Sequence, residues 1–231
     1  DRNMVEGGAI ENLTIDTSRQ NSPDGVTFAF AANCWVKNVT IIKAGSKPVY
    51  WGFNEGAKNI LIEDCLFDGV WSTGGGGNGY GGFEHAYDCM FRDCEFRDMR
   101  HAPNIQGFAA GCVFLKCTFI NSNAEMHSKF GRQCLIDNCT VLPPNTWQAE
   151  MGWKTKHIDN ISNGHDPSGG RLVLFNSEMD LKNQGGAISL GGLNYHDVIA
   201  YNRVLCGGTE NNDHIGSYTV TIFDFCNETW F

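Results

Sequence analysis

Cys89-Met-Phe-Arg-Asp-Cys94-Glu-Phe96 is followed 23 residues later by Cys112-Val-Phe-Leu-Lys-Cys117-Thr-Phe119, and 22 residues after that by Cys134-Leu-Ile-Asp-Asn-Cys139-Thr-Val141. In each segment apolar residues stand at positions 1, 3, 6 and 8. Side chains alternate along a strand, so positions 1 and 3 share one face, and a bend at positions 4 and 5 is needed to return positions 6 and 8 to it. A unit of two short strands and a corner has too little interior to bury alone and must stack on copies of itself.

The same frame fits Cys34 to Ile41 and Ile60 to Phe67, the latter with Cys65 in the second cysteine position, and weaker copies run from Leu172 to Met179 and from Asp197 to Val204. Leu13 to Ile15 fits as the tail of an earlier unit. Helical spacing persists nowhere for two turns, and Gly, Asn and Asp crowd the joints. The expected fold is all-β, a right-handed single-stranded parallel β-helix of about seven or eight coils, with residues 1–231 forming one domain.

Stacking predicts columns of like residues: Cys34, Cys89, Cys112 and Cys134 in one, Cys65, Cys94, Cys117 and Cys139 in a second, Phe67, Phe96 and Phe119 in a third. The cysteines read as small apolar core residues. Neighbours one strand spacing apart lie within Cα reach of a disulfide, so bridging stays open in an oxidising compartment. Zinc is disfavoured, because the spacing of five is the structural repeat and lacks the short paired motif of a metal knuckle.

Seventeen Lys and Arg stand against 26 Asp and Glu, and the net charge of -9 argues against general nucleic-acid binding. No apolar run is long enough to span a membrane, and Asp1-Arg-Asn3 lacks the pattern of a signal peptide, so the sequence is read as a soluble processed form or a piece of a longer chain. Tyr218 to Cys226 reads as an apolar strand that would leave an edge open, for a longer parent or a homo-oligomer to cap. Asn-x-Ser/Thr sequons at Asn12, Asn38, Asn138, Asn160 and Asn227 fall mostly at bends, where Asn suits the geometry regardless of glycosylation.

Insertions in a solenoid are displayed on its surface, where function tends to collect. Gly74-Gly-Gly-Gly-Asn-Gly-Tyr80-Gly-Gly82 lacks the helix, Lys and Ser/Thr of a phosphate loop and reads as a flap or a close-approach surface. Between Cys139 and Leu172 an insertion carries Trp147, Trp153, Lys154, Lys156 and His157. Indole faces beside cations suit a sugar cleft; pinning the loop to the coil explains them equally well.

The sharpest constellation lies in the strand after the second cysteine. Counted from Cys94 and Cys117, Asn104 should lie beside His127 and Gln106 beside Lys129, all four on one outer face, with Arg100, His101 and Glu125 nearby. Such a set suits β-elimination from a uronic-acid polymer: His127 or Lys129 as base for the C5 proton, Arg100 neutralising the carboxylate, His101 as acid for the departing oxygen. Hydrolysis needs two carboxylates, for which Glu84 and Glu125 are the available pair. Solvated outer-face residues with no chemistry are an equally ordinary explanation for any one of them. His85 counts into a column with Phe108 and Phe130, expected as buried.

The Cys and Asn bends and the stacked Phe columns make the chain resemble the pectate-lyase-like superfamily of parallel β-helices over nearly its whole length. That superfamily includes polysaccharide lyases, glycoside hydrolases, mannuronan epimerases and phage tailspikes, so the resemblance implies an extracellular or secreted protein with a polysaccharide as partner. The polygalacturonase motifs are missing. Arg100-His-Ala-Pro103 departs from the Arg-x-Pro-x-x-Arg of pectate lyases, and Phe83-Glu84-His85 from the Asp-Pro-His-Glu of mannuronan epimerases. No family's catalytic set therefore carries over. Calcium is the cofactor such a lyase would use, although no compact carboxylate cluster marks a site. The expectation is a lyase or epimerase on an acidic glycan, with Asn104, Gln106, Glu125, Glu84, Trp153 and Lys154 binding substrate; a hydrolase, or a non-catalytic tailspike or adhesin module, is the alternative.

Overall fold

The computed structural model describes residues 4–19, 24–52, 56–74, 78–122 and 132–142, together with strand segments 158–159, 170–175, 178–180, 188–190, 194–195, 198–201, 203–205, 220–222 and 226–227. Every paired strand among them is parallel, and no helix occurs among the described residues. The chain is a parallel β-solenoid.

The sequence repeat forms the principal ladder. Ala9–Asp16 pairs with Trp35–Ala44, whose two halves pair onward with Leu61–Glu63 and Leu66–Val70. From there each coil contributes two short strands, such as Met90–Arg92 and Glu95–Arg97, or Val113–Leu115 and Thr118–Ile120. The predicted corner is a single residue. Asn12, Asn38, Asp64, Asp93, Lys116 and Asn138 occupy successive rungs at position 5, all with φ between 52° and 56°. Left-handed backbone is costly for most side chains and least so for Asn and Asp, which fill five of these six rungs. Nδ2 of Asn38 donates to Oδ1 of Asn12 at 2.8 Å, so the corner residues also bond along the stack. A second left-handed corner holds Asn33 and Asn59, bonded in the same way at 2.7 Å.

A further strand closes the circuit on a third face: Asp24–Thr27, Lys47–Tyr50, Tyr80–Glu84 and His101–Gln106. It is described in four coils, so the solenoid shows about four complete turns, fewer than the seven or eight expected. The weaker copies supply rungs of the principal ladder, Gly170–Phe175 and Val198–Ala200 among them, while the remainder of their circuits lies outside the described residues.

The inner columns follow the predicted register with one amendment. Cys34 and Cys89 both adjoin Ile60, so Cys89, Cys112 and Cys134 are consecutive and Cys34 stands one rung apart. Cys65, Cys94, Cys117 and Cys139 are consecutive. All eight are buried thiols outside any disulfide, and burial pushes the Cys112 and Cys117 thiols up from their ordinary range. Their S–H groups face main-chain carbonyls, as Cys94 does toward Arg92 O at 3.3 Å. Phe67, Phe96 and Phe119 stack at 4.7 and 5.0 Å between ring centroids. Phe91 and Phe114 form a second stack, their planes nearly parallel and their centroids 5.4 Å apart. Phe83, from the third face, meets both at 4.9 and 4.7 Å and ties the faces into one core.

Candidate functional site

On the third face Val26, Val49, Phe83, Ala102 and Ile105 point into the core, which leaves the alternate positions to the outside. Register sets Asp24 beside Lys47, Tyr80 beside His101, Gly82 beside Asn104 and Glu84 beside Gln106. The Lys47 ammonium forms an ion pair with the Glu84 carboxylate. It also lies 5.1 Å from the centroid of the Tyr50 ring and 5.8 Å from that of Tyr80. The Arg100 guanidinium also stands 5.8 Å from the Tyr80 centroid, and the His101 ring packs on Tyr80 at 4.9 Å. Two cations and an imidazole thus surround one phenol ring, with a carboxylate against one of the cations.

This cluster differs from a solvated sheet face. On the principal ladder the charged outer column of Lys37, Glu63 and Arg92 pairs in partly exposed positions, where ion pairs are worth little. On the third face Tyr80, Glu84, Arg100 and His101 are all buried, and Asn104 is 0 % exposed. Simple solvation, the alternative weighed for each of these residues, does not describe Arg100, His101 and Asn104, which are buried. The cause is the glycine run. Nη1 of Arg100 donates to Gly74 O at 3.1 Å. A Cβ on Gly79, which has φ +74°, would stand 2.7 Å from the Arg100 Cβ. A Cβ on Gly82 would meet the Asn104 carbonyl oxygen at 1.9 Å. Of the two sequence readings of this run, close approach describes Gly79 to Gly82. Asn104's amide has no hydrogen-bond partner among the described residues for either Oδ1 or Nδ2, an arrangement that costs about 1–3 kcal/mol for each buried group left unpaired.

Of the residues singled out from the sequence, Glu84, Arg100, His101, Asn104 and Gln106 converge on two adjacent strands. Glu125, His127, Lys129, Trp153 and Lys154 lie outside the described residues, as does the predicted pairing of Asn104 with His127 and Gln106 with Lys129. His85 does sit against Phe108, at 5.5 Å between centroids, but on an exposed corner: the expected burial is corrected by Phe108 being 50 % exposed. Burial of the imidazole nevertheless outweighs the nearby Glu84 and holds His85 below its ordinary pKa.

Sequence reasoning missed Asp24, Lys47, Tyr50 and Tyr80. Asp24 and Lys47 are 23 residues apart and share the basic period, a signal that counting could have found. Tyr80 follows Lys47 by 33 residues, because the Gly-rich insertion breaks the count. Among the described residues no group of three or more His, Cys, Asp or Glu side chains is arranged to hold a metal ion, so calcium acquires no ligand set there.

Asp24 accepts the Lys47 main-chain N–H at 3.0 Å. Desolvation, assisted by the Glu84 charge, raises its pKa in spite of that bond and of Lys47. The folded protein therefore holds this proton more tightly than the unfolded chain, and between the ordinary Asp value and the raised one stability falls as pH rises. Asp24→Asn keeps an oxygen for the Lys47 N–H and removes the titration. Urea midpoints from acid to neutral pH should fall less steeply for this variant than for the wild type; parallel profiles would refute the assignment.

No family model, curated protein or solved structure matches the chain. Its function rests on the site alone.

Proposed function

We propose that this protein acts on a uronate-containing polysaccharide, by β-elimination or C5 epimerisation, on the outward side of the third sheet. The observation that carries the reading is the convergence of Lys47, Arg100 and His101 on the Tyr80 ring. Both reactions begin by removing the proton beside a carboxylate, and the negative charge that develops must be met by a fixed cation. Arg100 supplies it. Low exposure strengthens that interaction, since water competes less for the charge. His101 provides the proton for the departing oxygen, and the base is assigned to His127 or Lys129 on the sequence spacing. Asn104 and Gln106 are assigned to hydrogen-bond substrate, a role supported by the Asn104 amide having no partner among the described residues. A polymer of this kind is met outside the cell, which makes the protein a secreted one.

Asp24 and Glu84, on either side of Lys47, favour hydrolysis as the second reading, since a pair of carboxylates with one pKa raised is what acid-assisted cleavage needs. The discriminating experiment incubates the protein with polygalacturonate, alginate and neutral glucans, following ultraviolet absorbance of unsaturated uronate, C5 configuration by NMR, and reducing ends. Unsaturated or epimerised products are expected, with Arg100→Ala slower by about a hundredfold. Reducing ends alone would shift the assignment to hydrolysis. Silence in every channel would leave a binding or structural module.

A further inference from the structure

The thiols that follow Cys65 along the stack share a bearing as well as a position. Sγ of Cys65 faces the carbonyl of Glu63 in its own strand at 3.1 Å and that of Val36 in the preceding coil at 3.8 Å. Cys94 repeats this with Arg92 O at 3.3 Å and Ile62 O at 3.5 Å, and Cys117 with Leu115 O and Phe91 O, both at 3.5 Å. Side chains that keep one bearing on paired strands advance their sulfurs by one rung at a time, about 4.8 Å. The file has a defined start. Val39 stands before Cys65 in register, so the thiol next to Cys65 along the stack is that of Cys94.

That spacing decides what the pair can bind. A disulfide, although within Cα reach, needs both sulfurs to swing off these carbonyls until they stand about 2 Å apart. Zinc needs four ligands around one point, and a single file of sulfurs offers an ion only two, one on each side. An ion that accepts two opposed thiolates, with metal–sulfur bonds of about 2.3 Å, spans about 4.6 Å from sulfur to sulfur, close to one rung. Thiolates are soft ligands and select Cu(I) among the ions that do this. We propose that Cys65 and Cys94 form a two-coordinate site for a soft monovalent cation of the Cu(I) type, held between consecutive coils. On binding, two S–H protons leave to solvent and two S–Cu bonds form; copper stays Cu(I), and the site carries one negative charge. The S–H contacts to the carbonyls are given up with the protons. Without a cation the protons are hard to remove: the adjoining Cys94 thiol, with burial second, raises the Cys65 pKa. An ion between the sulfurs cancels that repulsion.

The test titrates the reduced protein with Cu(I) under argon in competition with bathocuproine disulfonate, a chelator that a single thiolate does not outcompete, and counts the ions retained. X-ray absorption gives the number of sulfurs around each ion. Wild type is expected to retain copper with two sulfurs at about 2.3 Å. Cys94→Ala should retain one ion fewer, and Cys94→Val, which refills the space, should give the same reduced count. Cys34→Ala is the control for loss of a core thiol. Gly8 and Ile60 flank Cys34 in its column, so no thiol stands on either adjoining rung and the count should not change. Failure of the wild type to retain copper, one sulfur or more than two around the ion, or an undiminished count in both Cys94 variants would overturn the site. An equal loss from Cys34→Ala would overturn it too, by showing that thiols bind singly.

Discussion

Lys47→Met is expected to destabilise the protein by about 3–5 kcal/mol, the usual consequence of removing one partner from a buried ion pair. The side chains of Lys47 and Glu84 are only 13 % and 10 % exposed. Without the ammonium, Glu84 is left as an uncompensated carboxylate in a desolvated position, with Asp24 on the same face. The double variant Lys47→Met, Glu84→Gln removes both charges and should recover most of the loss, because the cost lies in the orphaned charge and much less in the absent pair. Urea unfolding of the two single variants and the double variant measures this directly. A single variant within about 1 kcal/mol of wild type would mean that the pair is hydrated like a surface one.

Phe96→Ala should cost a comparable amount, about 3–5 kcal/mol, for a different reason. Phe96 is fully buried and stacks between Phe67 and Phe119, and its edge also faces Phe91 at 5.2 Å and Phe114 at 6.3 Å. Truncation removes the ring from its own column together with its edge contacts to the neighbouring one, and opens a cavity that a stack with fixed spacing cannot close. Phe96→Leu keeps most of the volume and is expected to cost about 1.5 kcal/mol. For a chain of this length the alanine variant should melt on the order of 10 °C lower. Equal losses for Ala and Leu would indicate that the column relaxes around the gap.

The contrast between what was legible and what was not follows from periodicity. Position 5 of the repeat is left-handed in every coil where Asn12, Asn38, Asp64, Asp93, Lys116 and Asn138 stand, and the Phe and Cys columns follow from the same frame. Those features recur once per coil, so the alternation of apolar residues on both sides of a corner was enough to reveal them. Third-face residues are reached only through connections of varying length. Counting forward from Cys94 to Arg100, His101, Asn104 and Gln106 crosses only a short stretch, and the neighbours it named, His127 and Lys129, lie outside the described residues. Counting from Cys65 crosses the glycine run and lost Tyr80, and with it the ring on which the cations converge. Burial of Arg100 and His101 was illegible for a related reason: Gly79 and Gly82 approach from the preceding coil, and sequence spacing alone says nothing of how near a backbone without side chains can come.

The thiol columns give the solenoid an address on successive rungs. From Cys65 through Cys94 and Cys117 to Cys139, a buried sulfur marks each coil in turn, and Cys89, Cys112 and Cys134 mark the neighbouring column. A thiol that reacts only when its own rung parts from the next is a local clock for unstacking. Because the sulfurs are alike in size and surroundings, differences in their labelling rates would trace the order in which the rungs separate, whether from an end inward or at the breaks made by the insertions. The residue type that builds the core thereby also records how the stack comes apart.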